Sequence, residues 1–163
     1  MKILYFGGQK SGKSTLAEEK TIELSDLKPY YIATYDRSFD DSEMKTRVLK
    51  HQNQRKEKFV TIEEPKNFVS KIEEGNTYLI DCISMWILNN IENSEDEFLM
   101  KLEKLKNIDA NIIFVLNDVN SGVIPFDKES RKFVDLTGIV GQKLASLCDE
   151  VYEVKLGLTS RLK

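Results

Sequence analysis

Gly7-Gly8-Gln9-Lys10-Ser11-Gly12-Lys13-Ser14 is a complete Gly-x-x-x-x-Gly-Lys-Ser phosphate-binding loop. It follows the apolar run Ile3-Leu4-Tyr5-Phe6 and precedes the helix-forming stretch Thr15-Leu16-Ala17-Glu18-Glu19-Lys20, the strand–loop–helix setting such a motif requires. The glycines let the backbone wrap phosphates closely, with successive N–H groups turned toward the negative charge. Lys13 is expected to reach the β- and γ-phosphates, and the Ser14 hydroxyl to hold Mg2+, which needs hard oxygen ligands. The N-terminus of the following helix adds its partial positive charge. The loop therefore predicts binding of a nucleoside triphosphate.

Outward from the loop, the 163 residues suit one nucleotide-binding catalytic domain spanning 1–163. With 40% hydrophobic and 31% charged residues the chain has the composition of an ordinary globular protein. A net charge of −3 points away from nucleic acid and from membrane surfaces. No apolar stretch approaches the ~18 residues of a membrane span. The N-terminal residues already read as a strand, so no signal peptide is expected. Cys82 and Cys148 have neither metal-ligand spacing nor a disulfide framework. Both read as reduced core thiols, and the expected location is cytoplasmic.

Apolar or β-branched runs recur at Ile3–Phe6, Tyr30–Thr34, Phe59–Ile62, Tyr78–Ile80, Ile112–Leu116 and Val151–Val154. Helical patterns lie between most of them, at about Ser14–Leu24, Ser42–Lys56, Pro65–Glu74, Ile83–Ile91, Glu95–Asn107 and Ser130–Leu147. Strands alternating with helices predict an α/β fold of the phosphate-loop NTPase type, a mostly parallel sheet covered on both faces. Asn117–Asp127 reads as the longest loop. In such sheets ligands sit beyond the carboxyl ends of the strands, which directs attention to Gly7, Thr34, Glu63, Asp81 and Asn117.

Tyr78-Leu79-Ile80-Asp81 is an apolar strand ending in a carboxylate. In phosphate-loop enzymes an acid at this position supports Mg2+. Asp is also a preferred N-cap, here for a helix beginning near Ile83. Between Glu43 and Lys58, Arg47, the single histidine His51, and Arg55 are spaced i, i+4, i+8 and would share one helix face. A solvated basic face is one reading. The other is chemical: a neutral imidazole can attack the α-phosphorus of a nucleotide, splitting one transfer into two easier ones. Neighbouring arginines would keep the imidazole neutral near pH 7 and stabilise charge on the phosphate oxygens.

From the loop onward the chain resembles the bifunctional adenosylcobinamide kinase/adenosylcobinamide-phosphate guanylyltransferase family of cobalamin synthesis. The resemblance continues through Tyr31-Ile32-Ala33-Thr34, Asp41-Ser42-Glu43-Met44, and Arg47-Val48-Leu49-Lys50-His51-Gln52-Asn53-Gln54-Arg55. Further blocks are Thr61-Ile62-Glu63-Glu64-Pro65 and Leu79-Ile80-Asp81-Cys82-Ile83-Ser84-Met85-Trp86. The C-terminal third adds Asn117-Asp118-Val119, Gly122-Val123-Ile124-Pro125, and Arg131, Phe133, Asp135, Gly138 and Gln142. The blocks cover nearly the whole chain in order.

The resemblance implies two reactions. A nucleoside triphosphate, ATP or GTP, phosphorylates the hydroxyl of the aminopropanol arm of adenosylcobinamide. GTP then gives GMP to His51 with loss of pyrophosphate, and the GMP passes to adenosylcobinamide phosphate, forming adenosylcobinamide-GDP. Thr34, Gln52, Asn53, Gln54, Arg55, Glu63 and Asp81 are implied to line the guanine-nucleotide site, and a trimeric assembly is expected. Glu63 suits a guanine edge chemically; on sequence alone it serves equally as a cap for the helix after Pro65. Departures from the family pattern are Gly141 in place of Asn, Asp118 in place of Glu, Phe126 in place of an acid and, more mildly, Asp81 in place of a glutamate found in some members. Gly141 costs a helix roughly 0.5–1 kcal/mol. The competing readings are a small-molecule kinase with His51 idle and a GTP-binding regulatory protein. Against the latter, Asn117-Asp118 lacks the lysine of an Asn-Lys-x-Asp guanine motif.

Overall fold

The expected apolar runs form β1 (Lys2–Gly7), β2 (Tyr30–Ala33), β3 (Val60–Glu63), β4 (Thr77–Asp81), β5 (Asn111–Asn117) and β6 (Glu150–Lys155). A seventh strand, β7 (Leu158–Arg161), joins them. The computed structural model describes residues 1–36 and 57–163. The helix expected over Ser42–Lys56 therefore lies outside the described residues, as do His51 and Gln52 to Arg55. Among the described residues are four α-helices: α1 (Lys13–Glu23), α2 (Ile83–Asn89), α3 (Glu95–Glu103) and α4 (Lys128–Leu147).

The strands form one sheet in the order β3-β2-β4-β5-β1-β6-β7. Every pairing is parallel except β6 with β7. The period-2 alternation of strand side chains divides the interior between two faces. On one, Leu4, Ile32, Tyr78, Ile80, Ile112, Phe114 and Leu116 pack with Trp86 of α2, Phe98 of α3, and Leu136, Val140 and Leu144 of α4. On the other, Ile3, Tyr5, Tyr31, Leu79, Ile113, Val115 and Val154 pack with Ala17 of α1. Strands buried on both sides explain why the sequence showed unbroken apolar runs rather than alternation.

Trp86 anchors the first core. Its ring meets Phe68 and Phe98 edge-on, each with centroids 5.0 Å apart, the arrangement that the aromatic quadrupole favours. Its indole N–H donates to the Lys66 carbonyl at 2.9 Å, so the one polar atom of a fully buried side chain is satisfied.

Two expectations need correction. Pro65–Glu74 is not an α-helix; only Phe68–Lys71 winds, as a 3-10 turn. The Glu64 carboxylate accepts from the N–H groups of Lys66 and Asn67, and the Ser70 hydroxyl donates to the Asn67 carbonyl. Such local side-chain bonds compete with a helix. The strand β7 was not expected. Its four residues are all exposed and carry no apolar run. It exists because Leu156 (φ 55°) and Gly157 (φ 79°) make a two-residue left-handed turn, the geometry that joins tight hairpins. Cys82 and Cys148 are both free thiols, with Cys148 buried and Cys82 half-buried. No described helix is long and apolar enough to cross a membrane.

Candidate nucleotide site

Parallel pairing brings the expected strand-end residues to one edge of the sheet. Gly7 is in register with Asn117, Ala33 with both Glu63 and Asp81, and Asp81 with Val115. Over this edge the loop Gly7–Ser14 leaves β1 and enters α1.

Its backbone explains its residues. A Cβ at Gly7 would lie 2.2 Å from the Val154 carbonyl oxygen, a backbone atom of β6 that cannot move aside, so only glycine fits. Gly12 is the N-cap of α1 with φ 99°, open to glycine and costly for other residues. The Ser11 N–H donates to the Gly8 carbonyl (3.2 Å) inside the loop, and the Asp118 N–H donates to the Gly7 carbonyl (2.9 Å) from the end of β5. Replacing Gly7 by alanine is expected to cost at least about 2 kcal/mol, lowering the thermal midpoint by roughly 4–8 °C. Gly8→Ala, with nothing within 4 Å of its added carbon, is expected to change stability by less than about 0.5 kcal/mol. Parallel thermal melts of the two variants check the contrast, and equal midpoints would contradict it.

Lys13, the first residue of α1, is only 6% exposed. Its ammonium turns into the loop and donates to the Gly8 carbonyl at 3.1 Å. Burial lowers its pKa, an effect that Cys82 and Asp81 oppose. Ser14 follows in the first turn of α1, half-buried, while Gly8, Gln9 and Lys10 are exposed at the loop's rim. Lys10 is left-handed (φ 56°). The Ser11 hydroxyl oxygen is buried with no hydrogen-bond partner among the described residues.

Asp81 closes β4, and its Oδ2 accepts from the Tyr31 hydroxyl at 2.9 Å. It is not the cap of α2: that position belongs to Cys82, whose side chain makes no capping bond. The Asp81–Cys82 peptide is cis. Burial, reinforced by Asp81, pushes the Cys82 thiol up to about 12, which leaves it neutral and a poor nucleophile near pH 7. Thr34 is fully buried. Its hydroxyl donates to the Cys82 carbonyl (2.7 Å) and accepts from the Cys82 N–H (2.9 Å), so the side chain is occupied in fixing the β4–α2 junction. Glu63 ends β3 and is exposed. The neighbouring Glu64, not Glu63, binds the backbone of the following turn.

Three positioning residues were not singled out in the sequence. Tyr31 orients Asp81. Asn89 of α2 donates to the carbonyls of Thr34 (2.7 Å) and Pro65 (3.0 Å), tying the exits of β2 and β3 together. Gly157, in the β6–β7 turn, donates its N–H to the Ser11 carbonyl at 2.8 Å. None has a local signal, because each partner is distant in the chain. A cavity of about 570 Å³ between the start of α3 and the first half of α4 contains none of the loop or strand-end residues. Gly7, Glu63, Asp81 and Asn117 lie instead at the carboxyl ends of the strands.

The departures noted in the sequence have physical settings. A side chain at Gly141 would start 3.2 Å from Leu116 Cδ2, so glycine lets α4 pack close to β5. Asp118 accepts from the Asn120 N–H (3.1 Å) and the Ser121 hydroxyl (2.9 Å), a turn for which the short Asp side chain is suited. Phe126 is 96% exposed, and its carbonyl accepts from the Arg131 guanidinium.

Comparison with known proteins bears on the family and the fold. Residues 3–162 match the family described as cobinamide kinase / cobinamide phosphate guanyltransferase. The bifunctional adenosylcobalamin biosynthesis protein CobP of Pseudomonas aeruginosa is 35% identical over 172 residues, covering 100% of this chain and 98% of the relative. The bifunctional adenosylcobalamin biosynthesis protein CobU of Salmonella typhimurium is 28% identical over 185 residues, covering 100% of both chains. In fold, the flagellar accessory protein FlaH from Methanocaldococcus jannaschii superposes with a TM-score of 0.53 at 16% identity, covering 99% of this chain and 77% of that one.

Proposed function

The chain belongs to the cobinamide kinase / cobinamide phosphate guanyltransferase family, and we propose that it carries out both reactions on one chain. In the first, the hydroxyl oxygen on the aminopropanol arm of adenosylcobinamide forms a bond to the γ-phosphorus, and the bond to the β–γ bridging oxygen breaks. In the second, His51 attacks the α-phosphorus of GTP, pyrophosphate leaves, and the phosphate of adenosylcobinamide phosphate takes GMP from the histidine. The product is adenosylcobinamide-GDP.

The observation that carries this reading is the buried Lys13 ammonium, turned into the loop with a fixed carboxylate, Asp81, in its electrostatic neighbourhood. A desolvated cation offsets the charge that develops on transferring phosphoryl oxygens far better than an exposed one does. Ser14 and Asp81 are both hard oxygen donors of the kind Mg2+ takes, and among the described residues no cluster of His, Cys, Asp or Glu forms a cage for a metal. The two would hold the ion together with water and phosphate oxygens. When bound, it neutralises charge on the β- and γ-phosphates. Glu63, exposed at the end of β3, is proposed to accept from a guanine edge; Gln52 to Arg55, which the family resemblance assigns to the same site, lie outside the described residues. Thr34 acts through the junction it fixes rather than through its occupied hydroxyl.

Incubation with adenosylcobinamide, ATP, GTP and Mg2+ followed by mass spectrometry of the corrinoid tests the proposal. The phosphorylated and then the GDP-linked corrinoid are expected. Nucleotide binding with an unchanged corrinoid would support a GTP-binding regulatory protein instead, and phosphorylation without the GDP-linked product a plain kinase.

A further inference from the structure

The β6–β7 turn touches the phosphate loop. Besides the Gly157 N–H to Ser11 carbonyl bond at 2.8 Å, a Cβ at Gly12 would lie 3.3 Å from Gly157 Cα, so the two backbones are in contact. On either side of Gly157, Leu156 and Leu158 are 89% and 74% exposed. Leu156 holds a left-handed conformation (φ 55°) that bulky residues seldom adopt. An apolar pair thus stands bare beside the loop, on backbone bonded to it.

The sheet order says what would cover it. Asp81 ends β4, which lies two strands from β1 on one side, while β6 and β7 lie on the other. The γ-phosphate must face Lys13 and Asp81 if it is to be transferred there. The nucleoside at the opposite end of the triphosphate then extends toward β6 and β7. We infer that Leu156 and Leu158 form the platform for the base of the nucleotide held by Gly7–Ser14 in the kinase step. The inference rests on the reading of Gly7–Ser14 as a triphosphate loop.

It has a consequence for the second reaction. Glu63 ends β3, four strands from β1 on the Asp81 side, or ~19 Å at the usual strand spacing. The turn is one to two spacings away on the other side, ~5–10 Å. One base cannot meet both. The base of the phosphoryl donor and the guanine of the guanylyl donor therefore occupy different subsites on opposite sides of the loop.

The test compares binding of ATP and of inorganic tripolyphosphate, which has no base, to the full chain by calorimetry. In the wild type ATP is expected to bind more tightly than tripolyphosphate. Leu156→Asn keeps a residue tolerant of the left-handed turn and is expected to weaken ATP about tenfold, equivalent to about 1.4 kcal/mol, while tripolyphosphate binding stays unchanged. Equal losses for both ligands would mean that the turn only braces the loop and would overturn the platform. So would an unchanged ATP affinity in Leu156→Asn, or ATP binding that depends on Glu63→Gln and not on Leu156→Asn. A wild type that binds neither ligand would overturn the triphosphate-loop reading, and the platform with it.

Discussion

Lys13→Ala is expected to lower the rate of corrinoid phosphorylation by roughly 10²–10³-fold, the scale on which a preorganised group stabilising transition-state charge acts. The same change should weaken binding of nucleotide and of tripolyphosphate. The lysine is almost wholly buried and turned into the loop, so its charge acts through little water. The fold should survive. Burial already disfavours this charge, as the lowered pKa records, so truncating the side chain also removes a desolvation cost. A melting midpoint near the wild type, beside the kinetic loss, separates a catalytic effect from unfolding. The pKa shift adds a signature of its own. Triphosphate affinity should fall as pH rises through the lowered pKa of Lys13, and so begin to fall before the 10.5 of an ordinary lysine is reached. A wild-type rate in Lys13→Ala would contradict the assignment of the loop.

His51→Ala is expected to abolish guanylyl transfer, by at least about 10³-fold as for loss of a covalent nucleophile, while phosphorylation of the corrinoid continues. The selectivity follows from the chemistry. The kinase step joins a substrate hydroxyl directly to the γ-phosphorus and needs no enzyme nucleophile, whereas the proposed transfer passes GMP through the imidazole. A phosphoramidate is labile in acid, so label from the α-phosphate of GTP should be retained on denatured wild type, released by acid, and absent from His51→Ala. Loss of both activities in His51→Ala would place the histidine in a role shared by the two steps. Loss of neither would favour a plain kinase with His51 idle.

What could be read from sequence, and what could not, divides by distance along the chain. The β1–loop–α1 unit was legible because its cause is local: an apolar strand, closely spaced glycines and helix formers within some twenty residues. The interior strands were legible because burial on both faces leaves an unbroken apolar run. The strand β7 was not, since exposed Leu158–Arg161 is held by a turn geometry and by pairing with β6, neither of which composition reveals. The same limit hid the residues that hold the site in place. Tyr31 reaches Asp81 across a strand pair fifty positions away in the chain, and Gly157 reaches Ser11 from the opposite end of the sequence. Asp81 was found as a strand-end acid, but its two readings could be separated only when Cys82 proved to be the cap of α2. His51 stands apart: it lies outside the described residues, and the role proposed for it comes from chemistry and resemblance.

One loop is proposed to grip nucleotides cut at two different bonds. Two labels followed through wild type, Lys13→Ala and His51→Ala test this, one on the γ-phosphate of the kinase donor and one on the α-phosphate of GTP. Expected is γ-label in the corrinoid and α-label on the wild-type protein, both lost in Lys13→Ala, and only the α-label lost in His51→Ala. Normal α-labelling of Lys13→Ala would contradict the claim, since guanylyl transfer would then proceed without the loop.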